Sequence, residues 1–251
     1  LVPLVRRANS KQKELIDTAF KSGSMDRITR ALNAVQSTPF AINKPVLEQV
    51  IASWERGDVI NKFPRQAKLK VPGKTKNWDE LDSKQRKHVK KTKEKIILRN
   101  RAFDADVVNM ATDLNTAKEL AKHDKFYLPH NLDFRGRLYP IPTFNHQRAD
   151  HIRALFQFAR GKKLGPTGAY WLCINVANTG DFDKVSKKSL NNRIAWVNKN
   201  QRALYLIGKK PGLTRSLWQE ADKPFLFLAA CIDFAGYVEN GDDHISHIPP
   251  S

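Results

Sequence analysis

From Lys74 to Leu128 the chain contains neither glycine nor proline. No other feature limits its fold as much, because these two residues are the usual punctuation between elements. Within the gap Ile97, Phe103, Val107, Val108, Met110, Ala111, Leu114, Ala117 and Leu120 fall mostly at three- and four-residue spacings. The pattern predicts one long helix, or two nearly continuous ones, over Asp82 to Lys122, roughly 60 Å at about 1.5 Å per residue.

Charge is concentrated on the same stretch. Between Lys62 and Arg101 fifteen Lys and Arg residues face only Asp79, Glu80, Asp82 and Glu94, a net charge of +11. The preceding sixty-one residues carry +3, and the whole chain of 251 carries +19. Lys84, Arg86, Lys87, Lys90, Lys91, Lys93 and Lys95 coat the first turns of the expected helix. A patch so one-sided costs self-repulsion, which points to a polyanionic partner, nucleic acid first. A solvated helix surface with no ligand is the alternative.

The rest reads as short elements. Lys11–Phe20 and Met25–Gln36 read as helices, the second capped by Ser24. Pro45 opens another, with Val46, Leu47, Val50, Ile51 and Trp54 at helical spacing and Gly57 at its end. After Phe126 prolines and glycines become frequent. Phe126-Tyr127-Leu128 and Leu138-Tyr139 read as strands, and Ile152–Ala159, Ala169–Ala177, Leu190–Ile207 and Phe225–Ala235 as helices. The class is α+β, mostly helical. Cys173 and Cys231 sit in apolar runs, as buried thiols in a reducing compartment do. The longest apolar run, Phe225 to Ile232, is too short to span a bilayer.

Asp133-Phe134-Arg135-Gly136-Arg137 is the densest chemical cluster, flanked by aromatics and by Pro129 and Pro140. The arginines can fork onto phosphates, Asp133 can aim one of them, and Gly136 lacks a Cβ that would hold a duplex off. A salt-bridged turn without a ligand uses the same residues. Asp242, Asp243, His244 and His247 have metal-ligand spacing, but their surroundings read as an exposed turn. Gly161-Lys162-Lys163-Leu164-Gly165 lacks the phosphate-loop pattern. His88, His123, His130, His146 and His151 have no local constellation, and Trp171 and Trp196 sit at core spacing. No nucleophile has a partnered base.

Phe126 to Arg137, continuing through Thr143-Phe144-Asn145, resembles the phage-type single-subunit DNA-dependent RNA polymerases of phages, mitochondria and chloroplasts. Asp133-x-x-Gly136-Arg137 is similar to that family's Asp-x-x-Gly-Arg motif. Gln36 to Asn43, Ala159 to Gly165, Tyr170-Trp171-Leu172, Ala177-Asn178, Asp183-Lys184-Val185, Trp218 to Phe225 and Phe234-Ala235-Gly236 follow in the family's order. The resemblance implies a right-hand polymerase: a short helical N-terminal remnant over 1–37, thumb helices over 38–125, and the beginning of the palm over 126–251. It implies nucleic-acid contacts by Asp133, Arg135, Gly136 and Arg137, with the basic helix embracing an RNA–DNA hybrid.

The family's metal-binding aspartates and its fingers' lysine and tyrosine correspond to positions beyond Ser251, so no catalytic or metal residue is expected on this chain. The resulting expectation is one subunit of a split, heterodimeric phage enzyme, a nucleotidyltransferase inactive by itself. A larger subunit would carry the fingers, the rest of the palm and the Mg2+. Further expectations are an accessory single-stranded-DNA or promoter factor, no membrane, and the cytoplasm of an infected bacterial cell. The alternatives are a partnerless nucleic-acid clamp and a metal-dependent nuclease using Asp242, Asp243, His244 and His247.

Overall fold

A computed structural model describes residues 9–61, 63–64, 68–73, 77–133 and 135–248. The expectations that involve Lys62, Lys74, Phe134 and Pro249 to Ser251 lie outside the described residues.

Helices α1 (Ser10–Lys21) and α2 (Asp26–Gln36) come first. Asn9 caps α1 reciprocally with Gln12. Met25, not Ser24, occupies the cap position of α2 and gives no side-chain bond; the Ser24 hydroxyl lies 2.8 Å from that of Ser22 instead. Strand β1 (Phe40–Ile42) leads into α3 (Lys44–Arg56), capped by Asn43, opened by Pro45 and stopped by Gly57 at φ +69°. After a 3-10 turn at Trp78–Glu80 comes α4, Ser83–Leu120, an unbroken helix of 38 residues. Asp82 and Gln85 form its capping box, with bonds of 2.8 and 3.0 Å. Of its 38 residues only Met110, Asp113, Leu114 and Ala117 are buried. The last third therefore holds the core while the first two thirds run through solvent.

The second half places β2 (His130–Leu132), β3 (Leu138–Pro140), α5 (Asp150–Arg153), β4 (Phe156–Phe158) and β5 (Lys162–Lys163) before the helical part. There α6 (Gly165–Gly180), α7 (Leu190–Lys209), α8 (Arg215–Trp218) and α9 (Pro224–Asn240) precede β6 (Ile245–Ser246). Two expectations change. Phe126 makes a single bridge to Phe40, and the strand proper begins at His130. Ile152–Ala159 is one helical turn followed by β4, because Phe156 to Phe158 pair antiparallel with Ile42 to Phe40. The described strands form three two-stranded ribbons, β1–β4, β2–β3 and β5–β6.

One core joins these parts. It runs from Phe40, Val46 and Val50 through Met110, Leu114 and Phe156 to Trp218, Phe225, Phe227 and Phe234. Asp150 ties α5 to α9: its carboxylate accepts from Phe225 N–H at 2.8 Å and Leu226 N–H at 3.2 Å, two donors of the kind that a helix start leaves unpaired. Burial pushes its pKa up, and those two bonds oppose the shift. Asp113 ties α4 to the loop before α5 through Arg148, at 3.1 and 2.8 Å.

His151 is buried edge-on to Phe63, with ring centroids 5.2 Å apart. Burial, with help from the Arg148 charge, lowers its pKa from 6.5 to about 4. The folded-state value lies below the unfolded one, so the unfolded chain binds the extra proton first. Stability is then lost as pH falls from the unfolded value toward the folded one, by roughly 3 kcal/mol across the window. Urea unfolding on both sides of that window should show His151→Leu losing this share of the acid sensitivity. Equal pH slopes in both proteins would refute it.

Candidate nucleic-acid interface

The Asp133 cluster is the end of the β2–β3 hairpin. Asp133 N–H donates to the Arg137 carbonyl at 2.9 Å, and Gly136 N–H donates to the Asp133 carbonyl at 3.0 Å. Gly136 sits at φ +76°, where a Cβ is disfavoured, and one built there would meet nothing within 4 Å. The turn itself therefore demands glycine. Asp133 organises the loop. Its Oδ1 accepts from the N–H groups of Arg135 and Arg137, each at 2.9 Å, and its Oδ2 accepts from Arg137 Nε at 2.7 Å. A second guanidinium nitrogen of Arg137 lies 2.7 Å from the same oxygen.

Desolvation alone would raise the Asp133 pKa, but the bonds from Arg137 and Arg135 outweigh it and hold the carboxyl below its usual range. The Arg137 guanidinium also lies over the Tyr139 ring, 5.6 Å from its centre. Even so, its side chain stays 58% exposed. With five fixed N–H donors and two facing Asp133, it keeps donors for an oxyanion outside. Arg135 is exposed beside it.

The hairpin packs on α2. His130 N–H donates to Gln36 Oε1 at 2.9 Å. Leu132, Gly136 and Leu138 close an apolar cavity of about 320 Å³ with Ile28, Ala31, Leu32 and Val35.

The lysines stand elsewhere. Lys84, Lys87 and Lys91 recur at i, i+3 and i+7, so they share one face of α4, and all three are exposed. They lie roughly 30–40 Å along the helix from Met110, where α4 enters the core. Arg86 and Lys90 point another way. They lie 5.9 and 6.0 Å from the Trp78 ring centre, and Arg86 donates to the Asp79 carbonyl at 2.9 Å. These two hold the 3-10 turn against the helix, a cation–π role that sequence alone did not reveal. Trp78, just ahead of the Asp82 cap, was the only cue.

The other candidates separate. Asp242 and Asp243 lie in a 3-10 turn. Asp243 pairs with Lys163 at 2.7 Å, His244 bonds Asp233 at 2.8 Å, and the His247 ring bonds the Phe158 carbonyl at 2.9 Å. Among the described residues no three His, Cys, Asp or Glu side chains gather as metal ligands. Lys162 and Lys163 pair in β5 with Ser246 and Ile245 rather than forming a phosphate loop. His130 and His146 do meet, with ring centroids 6.1 Å apart, and burial lowers both pKa values. Trp196 is stacked on Phe182 as expected, but Trp171 is 60% exposed, edge-on to Tyr170.

Comparison with known proteins gives this geometry a context. Residues 162–250 match the family model described as DNA-dependent RNA polymerase. The chain is 33% identical over 98% of its length to a mitochondrial DNA-directed RNA polymerase of Schizosaccharomyces pombe. It is 32% identical over 90% of its length to the DNA-directed RNA polymerase of Enterobacteria phage T3, and 30% over 90% to T7 RNA polymerase of Escherichia phage T7. It spans 21% of the first and 25% of the other two.

Proposed function

We propose, for a chain homologous to one segment of the DNA-dependent RNA polymerase family, that this segment grips template DNA and the RNA–DNA hybrid during nucleotidyl transfer. The observation that carries the reading is the β2–β3 hairpin, where Asp133 fixes an exposed Arg137 guanidinium with donors to spare. A forked cation held in one orientation binds phosphate at less entropic cost than a free one. Asp133 and Gly136 set the loop's shape, while Arg137 and Arg135 face the backbone. Along α4, the thumb in this reading, Lys84, Lys87 and Lys91 present one basic face to the hybrid. Arg86 and Lys90 support that face from Trp78. Residues 126–248 begin the palm.

Metal-assisted phosphoryl transfer needs carboxylates gathered around Mg2+. The described residues do not fit that requirement, so no chemical step is assigned to them. In this reading the Mg2+ ligands and the fingers belong to polypeptide outside this segment, with a larger polymerase subunit as its carrier. An accessory promoter or single-stranded-DNA factor would guide initiation. The test is RNA extension on a primed template by this chain alone and by the chain co-expressed with such a subunit. Extension is expected only with the subunit. Synthesis by this chain alone would sink the reading, and tight hybrid binding that no subunit converts into synthesis would make it a clamp.

A further inference from the structure

The surface of α7 carries a second positive field that the hairpin and α4 do not explain. From Asp183 to Lys210 there are eight Lys and Arg residues and one acid, Asp183 itself. Helix α7 contains no Asp or Glu across its 20 residues. Its buried side, with Val197, Leu204 and Ile207, packs on α6 and α9. Asn191, Asn198, Lys199, Arg202 and Lys209 fall on the opposite, exposed side. Asn198, Lys199, Gln201, Arg202 and Tyr205 line a shallow concavity of about 430 Å³ with Val238 of α9. The nearby carboxylate of Glu239 is already engaged, by Lys209 at 2.8 Å and by the Tyr205 hydroxyl at 3.0 Å. It therefore neutralises Lys209 and leaves the positive charge centred on Lys199 and Arg202.

We infer that the exposed face of α7 is a phosphate-backbone contact for duplex DNA, separate from the Asp133 hairpin. Asn191 to Arg202 covers about 16 Å of straight helix, along which one strand of a duplex carries roughly five phosphates. The amides of Asn198 and Gln201 beside the cations add neutral donors of the kind that meet phosphate oxygens. Tyr205, half-buried, is the one ring lining this concavity, whereas single-strand binding uses successive stacking platforms. A stiff row of cations and amides suits a stiff backbone.

The inference does not depend on the hairpin's role, and the test keeps the two apart. Binding of a labelled mixed-sequence DNA duplex to the enzyme in its native assembly is measured against salt. The proteins are wild type, Lys199→Glu with Arg202→Glu, and Arg137→Ala. Each lost phosphate contact removes about 0.9 from the slope of log K on log salt, so the double variant should lose about 2 from it. Its affinity should fall at least tenfold at low salt, with its thermal melt unchanged. Arg137→Ala should keep the α7 share of the slope. If charge reversal destabilises the fold, Lys199→Gln with Arg202→Gln gives the same reading with a smaller loss. A double variant that matches wild type in slope and affinity overturns the inference. So does one that loses an acidic protein partner while still binding DNA normally.

Discussion

Gly208→Ala should be among the most damaging single-methyl changes that this fold can receive. Gly208 lies near the end of α7, where the helix crosses α9. A Cβ there would run into the Cys231 backbone carbonyl and would sit 2.8 Å from Ala235 Cβ. Backbone cannot rotate away as a long side chain can, so the helices must part. Cys231 and Ala235 are buried with Phe227, Leu228 and Phe234 around them, and parting opens that seam. Alanine gains up to about 1 kcal/mol in helix propensity, but overpacking a tight core costs about 1–3 kcal/mol and more where backbone must move. A net loss of about 2 kcal/mol lowers the melting temperature by roughly 4–8 °C in a chain of this size. Gly212→Ala is the control: a Cβ there meets nothing within 4 Å, so its melt should match wild type. If both variants melt with wild type, the α7–α9 crossing is looser than its geometry indicates.

That crossing shows what local sequence carries and what it does not. Helix α4 was legible because its signals are local: no glycine or proline, and apolar residues at three- and four-residue spacing. The hairpin loop was legible for the same reason, since Asp133 and Gly136 make a turn from their own chemistry. Strand β4 was not. Phe156-Gln157-Phe158 follows a helical turn and reads as its continuation, and only pairing with the distant β1 makes it extended. Trp171 was misplaced because α6 is apolar around most of its circumference, so spacing could not say which aromatic faces outward. Arg86 and Lys90 looked like any other cations on α4. Their commitment to Trp78 depends on a turn folding back along the helix, which no periodicity records.

Net charge behaves differently from either. It survives any error in element boundaries, because a Lys in solvent is positive whether its segment is helix or loop. The sum therefore pointed to a polyanion early, but it could not say which cations grip and which pack. The structure sorts them by partner. Arg148 neutralises Asp113, Lys209 neutralises Glu239 and Lys163 neutralises Asp243. Cations engaged in this way add little to attraction at a distance, whereas Lys84, Lys87 and Lys91 on α4 and Lys199 and Arg202 on α7 are exposed and form no ion pair among the described residues.

If the hairpin grips nucleic acid as proposed, Arg137→Ala should slow transcript extension by the assembled polymerase roughly 10- to 100-fold, the scale of one charge-assisted phosphate contact. The fold should hardly notice, because the Arg137 side chain is 58% exposed and an ion pair with its cation in solvent contributes little to stability. Arg137→Lys should recover only part of the rate, since a point charge cannot bond Asp133 and a phosphate with one planar fork. Asp133→Asn is the sharper probe. It can still accept at one oxygen from the N–H groups of Arg135 and Arg137, so the turn should persist, but it releases the guanidinium that Oδ2 now holds at 2.7 Å. The expected result is weaker hybrid binding with a near-normal melt, and a smaller loss than in Arg137→Ala because the cation remains. If Asp133→Asn instead lowers the melting temperature and leaves extension intact, the carboxylate serves the turn alone. Arg137 would then reach nucleic acid, if at all, without being aimed.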